Sequence, residues 1–539
     1  MMIKVNNLCK SYDAKIVLQN ISFAINEHSH VGLIGENGCG KTTLCKILLG
    51  KEKSDNGSIE KKSDIVIGYL PQEVEIFSEE MSVQQYFERA VGSLDLIKQE
   101  METLEKNLNE KTLVRYGELQ DLWEKKGGYE LDYRIKKVKD GLAIKHIDQN
   151  RMLTTLSGGE KTRIALAALL IVIPDILILD EPTNHLDFAT LKWLEEYLTS
   201  FKGSILVISH DREFLNKIVD EIWEISSDNH ELAIFHGNYD VYLQEREKIF
   251  KKQLETYEEY IEEVRRLKTL LKQKTHSTKG PRPPTDSFKS AWDAWGEKAE
   301  KSKSSSIQNA KVRLEKLEKN PPAEPMRSSL RGFYFHEALM PSQIAFKIVN
   351  VTKSYGNKVV LKDLSKEIIN NDRVVIIGEN GCGKTTLLKL LVGEEKPDVG
   401  DVKAASSVKI GYLDQEQKSL NLENTVLEEY SLVKMAEESV LRADLHKMSL
   451  FTSEEIFLKV KDLSLGQKQK LMLAKIVAKK PNVLILDEPT NHLDLMGIEE
   501  LEKALKNFSG VIVAVSHDRR FIDKIATSVW TLSKGTIVV

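Results

Sequence analysis

The 539-residue chain has little of several features that define common protein classes. It contains four cysteines and no Cys-x-x-Cys pair, so we expect neither a disulfide framework nor a zinc site, and a reducing compartment fits best. The longest apolar run, Ile164–Ile173, is far shorter than the roughly 20 residues of a membrane span. The N-terminus lacks the apolar segment of a signal peptide. The sequence therefore predicts a soluble, cytoplasmic protein without a membrane partner.

A strong excess of charge of one sign is also absent. The chain has 77 basic and 81 acidic residues, for a net charge of -4. This balance does not by itself indicate a polyanion partner, but a balanced total can hide a local basic patch. With 41% hydrophobic residues, the length is sufficient for about three to four domains with buried cores.

Two identical ten-residue segments are the most informative feature that is present. Gly35–Leu44 and Gly378–Leu387 both match the pattern G-x-x-x-x-G-K-[ST]. In such loops glycines let backbone N–H groups surround phosphate oxygens, the lysine reaches the β- and γ-phosphates, and the hydroxyl after it can hold Mg²⁺. One match can arise by chance, whereas two identical copies predict two nucleotide-binding units of the α/β class.

The two copies are offset by different distances along the chain. Tyr12 and Gln72 recur 343 residues later, as Tyr355 and Gln415, whereas motifs after residue 156 recur 307 residues later. The first copy therefore holds 36 extra residues between Gln72 and Leu156. This insertion includes the helical pattern of residues 100–108, which predicts a helical hairpin that projects from the first copy.

Acids and a histidine also recur at the 307-residue offset. Each acid pair ends an apolar run typical of a buried parallel strand, where the first acid can reach a metal and the second can polarise an attacking water. The histidines end the next strand and can contact a γ-phosphate. Such groups are often a surface feature or a structural histidine, but their recurrence beside phosphate loops favours function. The residues are Asp180, Glu181, Asp487, Glu488, His210 and His517.

The character of the chain changes between about residues 240 and 325. Apolar spacing predicts two helices, separated by a segment rich in proline, serine and lysine. Residues 264–319 contain 15 basic and 6 acidic residues. The basic side chains favour contact with RNA phosphates, and the tryptophans favour contact with unstacked bases. The alternatives are that the charged helices are a solvated spacer and that the tryptophans pack against the segment between these helices. The candidate RNA contacts are Arg265, Arg266, Lys268, Lys272, Lys274, Lys279, Arg282, Trp292 and Trp295.

The complete set of motifs resembles that of a protein with two ATP-binding cassettes. Besides the phosphate loops and acid strands, the set has glutamine loops at Tyr69–Gln72 and Tyr412–Gln415 and signatures at Leu156–Glu160 and Leu463–Gln467. Switch motifs follow at 209–211 and 516–518. The resemblance implies a first cassette over residues 1–240, with a helical arm at about 77–153. A basic helical-hairpin linker over 241–325, with its tip at about 275–306, would then join a second cassette over 326–539.

The family implies a monomer in which the cassettes form a head-to-tail sandwich. Each ATP lies between the phosphate loop of one cassette and the signature of the other, whose N–H groups begin a helix. Leu465 replaces a glycine in the second signature, so the two sites need not hydrolyse ATP equally. The implied Mg²⁺ ligands are Thr42, Gln72, Asp180, Thr385, Gln415 and Asp487. The implied ATP contacts are Tyr12, Gly35, Asn37, Gly38, Cys39, Gly40, Lys41, Thr42, Thr43, Ser157, Gly159, Tyr355, Gly378, Asn380, Gly381, Cys382, Gly383, Lys384, Thr385, Thr386, Ser464 and Gly466. For Tyr12 and Tyr355, which match the adenine-stacking position, simple packing is the alternative.

The linker and arm further resemble those of the ABC-F family of ribosome-binding ATPases. In that family the hairpin enters the ribosomal E site and approaches the P-site tRNA and the 23S rRNA. The long tip and short arm are similar to the antibiotic-resistance branch of the Vga/Lsa/Vml type, which protects ribosomes from pleuromutilin, lincosamide and streptogramin A drugs. The alternatives are a housekeeping translation factor, the ATPase subunit of a transporter, and a mechanical ATPase that acts on DNA.

Overall fold

The computed structural model places most of the chain in two compact units. One unit, here called the body, consists of Met1–Asp240 and Ser328–Val539, and the other, the linker, is Val241–Arg327. The described residues are 1–13, 15–72, 81–106, 110–125, 128–184, 186–227, 229–276, 308–322, 334–335, 340–356, 358–379, 381–414, 419–448, 450–452 and 454–538. Most of the predicted tip therefore lies outside them, as do Asn380 and Gln415.

The first cassette contains a three-stranded antiparallel sheet and a six-stranded sheet. The orders are β2-β1-β4 and β5-β6-β7-β3-β8-β9, and in the larger sheet only the β8–β9 pair is antiparallel. The central strands are continuous apolar runs because both faces are buried. The strands are β1 (Ile3–Tyr12), β2 (Lys15–Ile25), β3 (His30–Gly35), β4 (Asn56–Lys61), β5 (Ile67–Leu70), β6 (Ile176–Asp180), β7 (Ser204–Ile208), β8 (Glu221–Ile225) and β9 (Leu232–His236).

Seven labelled helices connect these strands within the described residues. They are α1 (Lys41–Leu48), α2 (Val83–Glu105), α3 (Glu110–Lys125), α4 (Leu131–Gly141), α5 (Gly158–Val172), α6 (Phe188–Thr199) and α7 (Arg212–Ile218). Helices α2 and α3 form the arm and pack against each other. Arg115 on α3 donates to Glu100 on α2 at 3.0 Å. The first cassette thus has a pair of helices of 23 and 16 residues in this region.

The second cassette repeats the architecture with a shorter helical region. Its sheets have the orders β11-β10-β13 and β14-β15-β16-β12-β17-β18. Helices α11 and α12, of 6 and 10 residues, lie in the region that corresponds to the arm. The elements are β10 (Ile344–Tyr355), β11 (Lys358–Ile369), β12 (Arg373–Ile377), α10 (Lys384–Val392), β13 (Val399–Ala404), β14 (Ile410–Leu413), α11 (Val426–Ser431), α12 (Glu438–Lys447), α13 (Leu465–Ala478), β15 (Val483–Asp487), α14 (Leu495–Asn507), β16 (Val511–Val515), α15 (Arg519–Ile525), β17 (Ser528–Ser533) and β18 (Thr536–Val538).

The linker consists of two helices in its described part. Helix α8 (Tyr239–His276) has 38 residues and begins at the end of the body, and residues 308–319 form helix α9. Side chains join the two helices: Lys268 lies 2.9 Å from Glu318, and Arg313 lies 3.2 Å from Glu263. The predicted fold class, two phosphate-loop cassettes in tandem with a helical linker, is confirmed.

The parallel strands bring the predicted site residues to one edge of each large sheet. In the first cassette β3 leads into the phosphate loop, β6 ends at Asp180, and β7 ends two residues before His210. Because carboxyl ends of parallel strands lie at the same edge, motifs far apart in sequence meet there. The corresponding strands β12, β15 and β16 make the same arrangement in the second cassette.

Candidate functional site

The first phosphate loop is held in shape by its glycines and its lysine. Gly40 has φ of 104°, a left-handed conformation that glycine adopts without strain. A Cβ at Gly40 would lie 2.7 Å from the side chain of Val17, so a larger residue has no room. Lys41 Nζ donates hydrogen bonds to the carbonyl oxygens of Gly35 at 2.8 Å and Glu36 at 2.9 Å. The loop therefore holds a cation at its centre, as a phosphate site requires.

The hydroxyl of Thr42 and the carboxylate of Asp180 meet beside this loop. Thr42 Oγ1 donates to Asp180 Oδ2 at 2.9 Å. Asp180 is buried, and burial raises the pKa of its carboxyl above the usual range. Two oxygen ligands at the end of a buried strand thus lie where a divalent cation bound to phosphates would be held.

Glu181 follows Asp180 in a strained and buried position. Its φ of 52° lies in the left-handed region, which is uncommon for a residue with a side chain. Its backbone N–H donates to the carbonyl of Ile208 at 2.9 Å, which fixes the strand end on β7. Burial, with a smaller contribution from the charge of Asp180, raises the pKa of Glu181 to about 8. The Glu181 carboxyl, with its raised pKa, thus lies in the cavity that the first phosphate loop also lines.

His210 approaches Glu181 from the neighbouring strand. Its Nε2 lies 3.2 Å from Glu181 Oε1. Burial, followed by the positive charge of Lys41, lowers the pKa of His210 to about 3. The imidazole is therefore neutral at physiological pH, and one ring nitrogen carries a proton that can be donated to an anion.

The second cassette reproduces this arrangement. Lys384 Nζ donates to the carbonyls of Gly378 at 2.7 Å and Glu379 at 3.1 Å. Glu488 has φ of 49°, and burial, followed by the charge of Asp487, raises its pKa to about 8. His517 Nε2 lies 3.4 Å from Glu488, and burial lowers the pKa of His517 to about 4. Thr385 lies beside Asp487 and favours its ionised form, as Thr42 does for Asp180.

A cavity of about 560 Å³ lies between the two cassettes at the first phosphate loop. Asn37 and Gly38 line it from the first cassette, and Ser464 and Gly466 line it from the second signature. The contact is close, because a Cβ at Gly466 would lie 2.5 Å from Asn37 Nδ2. The structure thus brings together the phosphate loop of one cassette and the signature of the other, in the order that the family resemblance implies.

Other predicted residues lie around the same cavity or near the loops. Gln72, Glu181, Glu488, His210 and His517 also line the cavity. Cys39 is buried behind the first loop, whereas Cys382 is only half-buried in the second. Gly378, Gly381 and Gly383 all have positive φ. Thr43 and Thr386 lie beside Tyr12 and Tyr355, respectively.

The first signature is more open than the second. Ser157 and Ser464 both cap their helices through a capping box, which orients the N-termini of α5 and α13. Gly466 is buried, whereas its counterpart Gly159 is half-buried, and Leu465 has 43% of its surface exposed. Among the described lining residues of the cavity, the second signature is present and the first is not. The structure thus shows the two sites as unequal.

Tyr12 and Tyr355 present exposed rings beside the loops. They are 44% and 48% exposed, and their hydroxyls donate to Glu52 and Glu395. Lys10 lies over the Tyr12 ring at 5.2 Å. Because each hydroxyl is fixed while the ring remains accessible, the geometry suits stacking of a base better than core packing.

A family comparison decides what these sites are. A family model described as ABC transporter matches residues 18–184 and 361–491, which together exceed half of the chain. The chain is a tandem ABC ATPase. It therefore binds and hydrolyses ATP, as the motifs predict. In the part of the chain that the structure describes, no helix has the length and apolar character needed to cross a membrane.

Two curated relatives of this ABC ATPase match nearly its whole length. The tylosin resistance ATP-binding protein TlrC of Streptomyces fradiae is 32% identical over 99% of this chain and 98% of its own. The energy-dependent translational throttle protein EttA of Escherichia coli (strain K12) is 32% identical over 95% of this chain and 88% of its own. These relatives are tandem, ABC-F-like proteins.

A solved structure has the same tandem fold. The archaeal ribosome recycling factor aABCE1, in its complex with the ribosomal stalk protein aP1, superposes with a TM-score of 0.62. The alignment covers 98% of this chain and 89% of that chain at 19% identity. At this identity the likeness concerns the fold alone.

The linker candidates of this ABC ATPase are not all equivalent. Lys268 lies 2.9 Å from Glu318, and Arg266 lies 3.5 Å from Glu263. The segment around them has no acidic residue in sequence, but α9 and the preceding turn of α8 supply acids in space. Arg265 and Lys272 have exposed side chains on α8. Lys274 lies on α8 as well, and Lys279, Arg282, Trp292 and Trp295 are outside the described residues.

Sequence reasoning missed the contacts that join the two cassettes. Asn37 Nδ2 donates to the carbonyl of His492 at 2.9 Å, and Arg212 donates to Glu502 and Asp518. The signal was present: Arg212 recurs as Arg519, and Glu195 recurs as Glu502, at the same 307-residue offset as the switch histidines. The internal repeat thus marks these four residues in the sequence, but it does not record which of them pair.

Proposed function

We propose that this chain is a cytoplasmic, ribosome-associated ABC-F ATPase that works as a monomer. Its linker would enter the ribosomal E site and contact 23S rRNA and the P-site tRNA. The observation that carries the proposal is a basic helical pair inserted between two paired ATPase cassettes, in a chain that matches TlrC and EttA over nearly its whole length. The names of these relatives concern translation and resistance to an antibiotic.

The charge of the linker supports an RNA partner. Exposed cations on a helix are attracted to phosphates and release counterions on binding. Arg265 and Lys272 are exposed on α8, whereas Lys268 and Arg266 lie beside acids. We therefore assign a larger share of RNA contact to Arg265 than to the two cations with acidic neighbours.

The residues of each ATP site have distinct proposed roles. Backbone N–H groups of the phosphate loop and Lys41 would hold the β- and γ-phosphates, and the exposed ring of Tyr12 would stack on the adenine. Glu181 would polarise the attacking water, and His210 would donate its ring N–H to the γ-phosphate. The corresponding residues of the second site are Lys384, Tyr355, Glu488 and His517.

The residues beside the loops fit Mg²⁺. Thr42 and Asp180 offer oxygen ligands 2.9 Å apart, and in the second site Asp487 Oδ2 is buried without a hydrogen-bond partner among the described residues. The glutamine loops would add Gln72 and Gln415. Bound Mg²⁺ would neutralise charge on the phosphate oxygens.

The basicity of the two glutamates matters for catalysis. A pKa near 8 keeps most of the Glu181 carboxyl protonated at neutral pH, whereas a group that polarises water must be the carboxylate. The charge of Lys41 acts in the opposite direction and lowers this pKa. We infer that the cations next to the phosphates favour the carboxylate form of each glutamate: Lys41 acts on Glu181 and Lys384 acts on Glu488.

Co-sedimentation with ribosomes tests the association. Glu181→Gln/Glu488→Gln removes both catalytic carboxylates but keeps the phosphate loops, so this variant is expected to remain on ribosomes with ATP. A matched control, Lys41→Ala/Lys384→Ala, removes the phosphate-binding cations instead and is expected to release. If both variants sediment equally with ribosomes at several salt concentrations, or if neither sediments with them, ATP-dependent ribosome binding is contradicted.

The two curated relatives favour different physiological roles. The name of TlrC concerns resistance to tylosin and favours a role in antibiotic resistance, whereas the name of EttA concerns translation and favours a housekeeping translation factor. Cell-free translation with a pleuromutilin, a lincosamide, a streptogramin A or tylosin separates them. Rescue of synthesis by the unmodified protein, lost in Glu181→Gln/Glu488→Gln, supports resistance. Inhibition by that variant without drug, and no rescue, supports the housekeeping role.

A further inference from the structure

A buried group of charges joins the two cassettes next to the ATP sites. Arg212, only 1% exposed, donates from Nη1 to Glu502 Oε2 at 3.0 Å and from Nη2 to the other carboxylate oxygen. The same Nη2 donates to Asp518 Oδ2 at 3.0 Å. Lys524 completes the group with a contact of 2.7 Å to Glu502. A guanidinium from the first cassette is thus held by two carboxylates of the second.

The same contact is repeated in the opposite direction. Arg519 Nη1 lies 3.1 Å and 3.2 Å from the carboxylate oxygens of Glu195, and Lys217 lies 2.8 Å from Glu195. Every member of this group is 307 residues from its counterpart in the first group. The two groups are therefore related by the internal repeat, and each arginine crosses to the other cassette.

Both arginines are the residues that directly follow a switch motif. Asp211 caps α7 by accepting from the N–H groups of Glu213 and Phe214, each at 3.0 Å. Asp518 caps α15 by accepting from the N–H of Phe521 at 3.1 Å. Since Arg212 also donates to Asp518, the residue after the first switch motif is bonded to the helix cap within the second.

The two crossings are unequal. Arg212 has one nitrogen, Nε, without a hydrogen-bond partner in the described residues, whereas Arg519 has two, Nε and Nη2. The Arg519 guanidinium instead lies over the Phe188 ring at 4.4 Å. Asp518 therefore has an arginine from the other cassette as a hydrogen-bond donor. Hydrogen bonds of the described residues show no such donation from Arg519 to Asp211.

We propose that Arg212 is a positioning residue that couples the two ATP sites, by fixing the switch motif of the second cassette to that of the first. Separating a buried ion pair would leave uncompensated charges, which is energetically costly. When one cassette shifts, the paired groups of the other cassette are therefore expected to move with it. Binding of ATP to one site then biases the other. The proposal rests on the roles assigned to His210 and His517 and is independent of the ribosome.

Equilibrium binding and steady-state hydrolysis of ATP test this coupling in the full-length chain. We expect a Hill coefficient above 1 for the unmodified protein and a value of 1 for Arg212→Gln. In the unmodified protein, ATP at one site should change the affinity of the other site by at least about fivefold, and this change should be absent in Arg212→Gln. Binding of a fluorescent ATP analogue to Glu181→Gln/Glu488→Gln, with and without Arg212→Gln, measures the same quantity without hydrolysis.

Arg519→Gln is the matched control, because it removes the same side chain from the equivalent position. It is expected to retain a Hill coefficient above 1. If Arg212→Gln does not fold, Arg212→Lys replaces it, since an ammonium can reach Glu502 or Asp518 but lacks the fork that binds both. A coefficient of 1 for the unmodified protein, an unchanged coefficient in the Arg212 variants, or an equal loss in Arg519→Gln would overturn the proposal. Ribosome association is measured separately, so its failure would leave this result intact.

Discussion

At the scale of single residues, the two glutamates combine backbone strain with burial. Glu181 and Glu488 both have left-handed backbones and pKa values of about 8. The strain is offset by backbone hydrogen bonds to Ile208 and Val515, each 2.9 Å long. The same local conformation at both sites indicates that the turn after the acid strand is part of how the carboxyl is aimed.

These pKa values predict how stability depends on pH without nucleotide or Mg²⁺. The ordinary pKa is 4.5, so between 4.5 and about 8 the folded protein holds protons that the unfolded chain releases. The stabilisation is complete at the acid end and is lost as pH rises through 8. Glu181→Gln/Glu488→Gln cannot titrate, so its melting temperature is expected to fall less between pH 5 and pH 9. Parallel melting curves for both proteins would contradict these pKa values.

Gly466 predicts a second effect at this scale. A Cβ there would meet Asn37 Nδ2 and the carbonyl of His492, each at 2.5 Å. Gly466→Ala is therefore expected to push the second signature from the first phosphate loop and to lower kcat by at least about tenfold. Gly158→Ala, where a Cβ meets nothing within 4 Å, is the control and should have a smaller effect. Steady-state ATPase assays on both variants check the difference.

At the scale of elements, the contact between α7 and α15 has complementary charges at equivalent positions. Glu213 on α7 recurs as Arg520 on α15, and Arg520 Nε donates to Glu213 at 2.6 Å. Arg520 Nη2 also donates to Asp240, at 2.6 Å. If both positions held the same residue, like charges would meet. Because the first cassette has an acid at this position and the second has a base, the first cassette pairs more favourably with the second than with a copy of itself.

Reversing these charges tests the contact. Arg520→Glu would place three carboxylates together, and we expect a loss of stability of about 1 to 3 kcal/mol, reduced by partial exposure of the pair. Adding Glu213→Arg should recover part of it, since opposite charges meet again while Asp240 still faces a carboxylate. Lys503→Glu, in a more exposed pair with Glu500, should have less effect. Thermal unfolding measures all four proteins, and absence of recovery would argue against direct pairing.

At the scale of the whole molecule, ATP chemistry and nucleic-acid contact are assigned to different compact units. The body contains both cassettes, and the linker contains α9, all but the first two residues of α8, and the candidate RNA contacts. The local charge of the linker differs from the net charge of -4 for the chain. A division of this kind lets the energy source remain constant while the linker determines the partner.

The charge of the linker predicts a salt-dependent effect on ribosome binding. Arg265→Glu should weaken binding and reduce the slope of log affinity against log salt, because fewer counterions are released. Arg266→Glu should weaken it less, since this side chain already lies 3.5 Å from Glu263. Lys347→Glu makes the same charge change in a cassette and is the control. An equal loss in all three variants would indicate a general effect of net charge.

The local patterns were predictable from sequence because each is formed by neighbouring residues. A phosphate loop needs glycines, a lysine and a hydroxyl at fixed spacing, so two intact copies predicted two ATP sites and the α/β class. The helical arm was predicted because the repeat offset is 343 residues before it and 307 residues after it. The count of basic and acidic residues over 264–319 did not record which charges are neighbours. Glu263 lies beside Arg266 along α8, and Glu318 lies beside Lys268 only after α8 and α9 pack.

The sequence alone therefore determined that this protein is an ATPase with two phosphate loops, since those chemical groups lie in short contiguous motifs. Only the tertiary structure decided how the two sites are joined. Arg212 and Glu502 are 290 residues apart in the chain, and no local pattern records their pairing. Burial likewise decided the pKa values of the glutamates and histidines, because desolvation depends on what packs around a group and not on its neighbours in sequence.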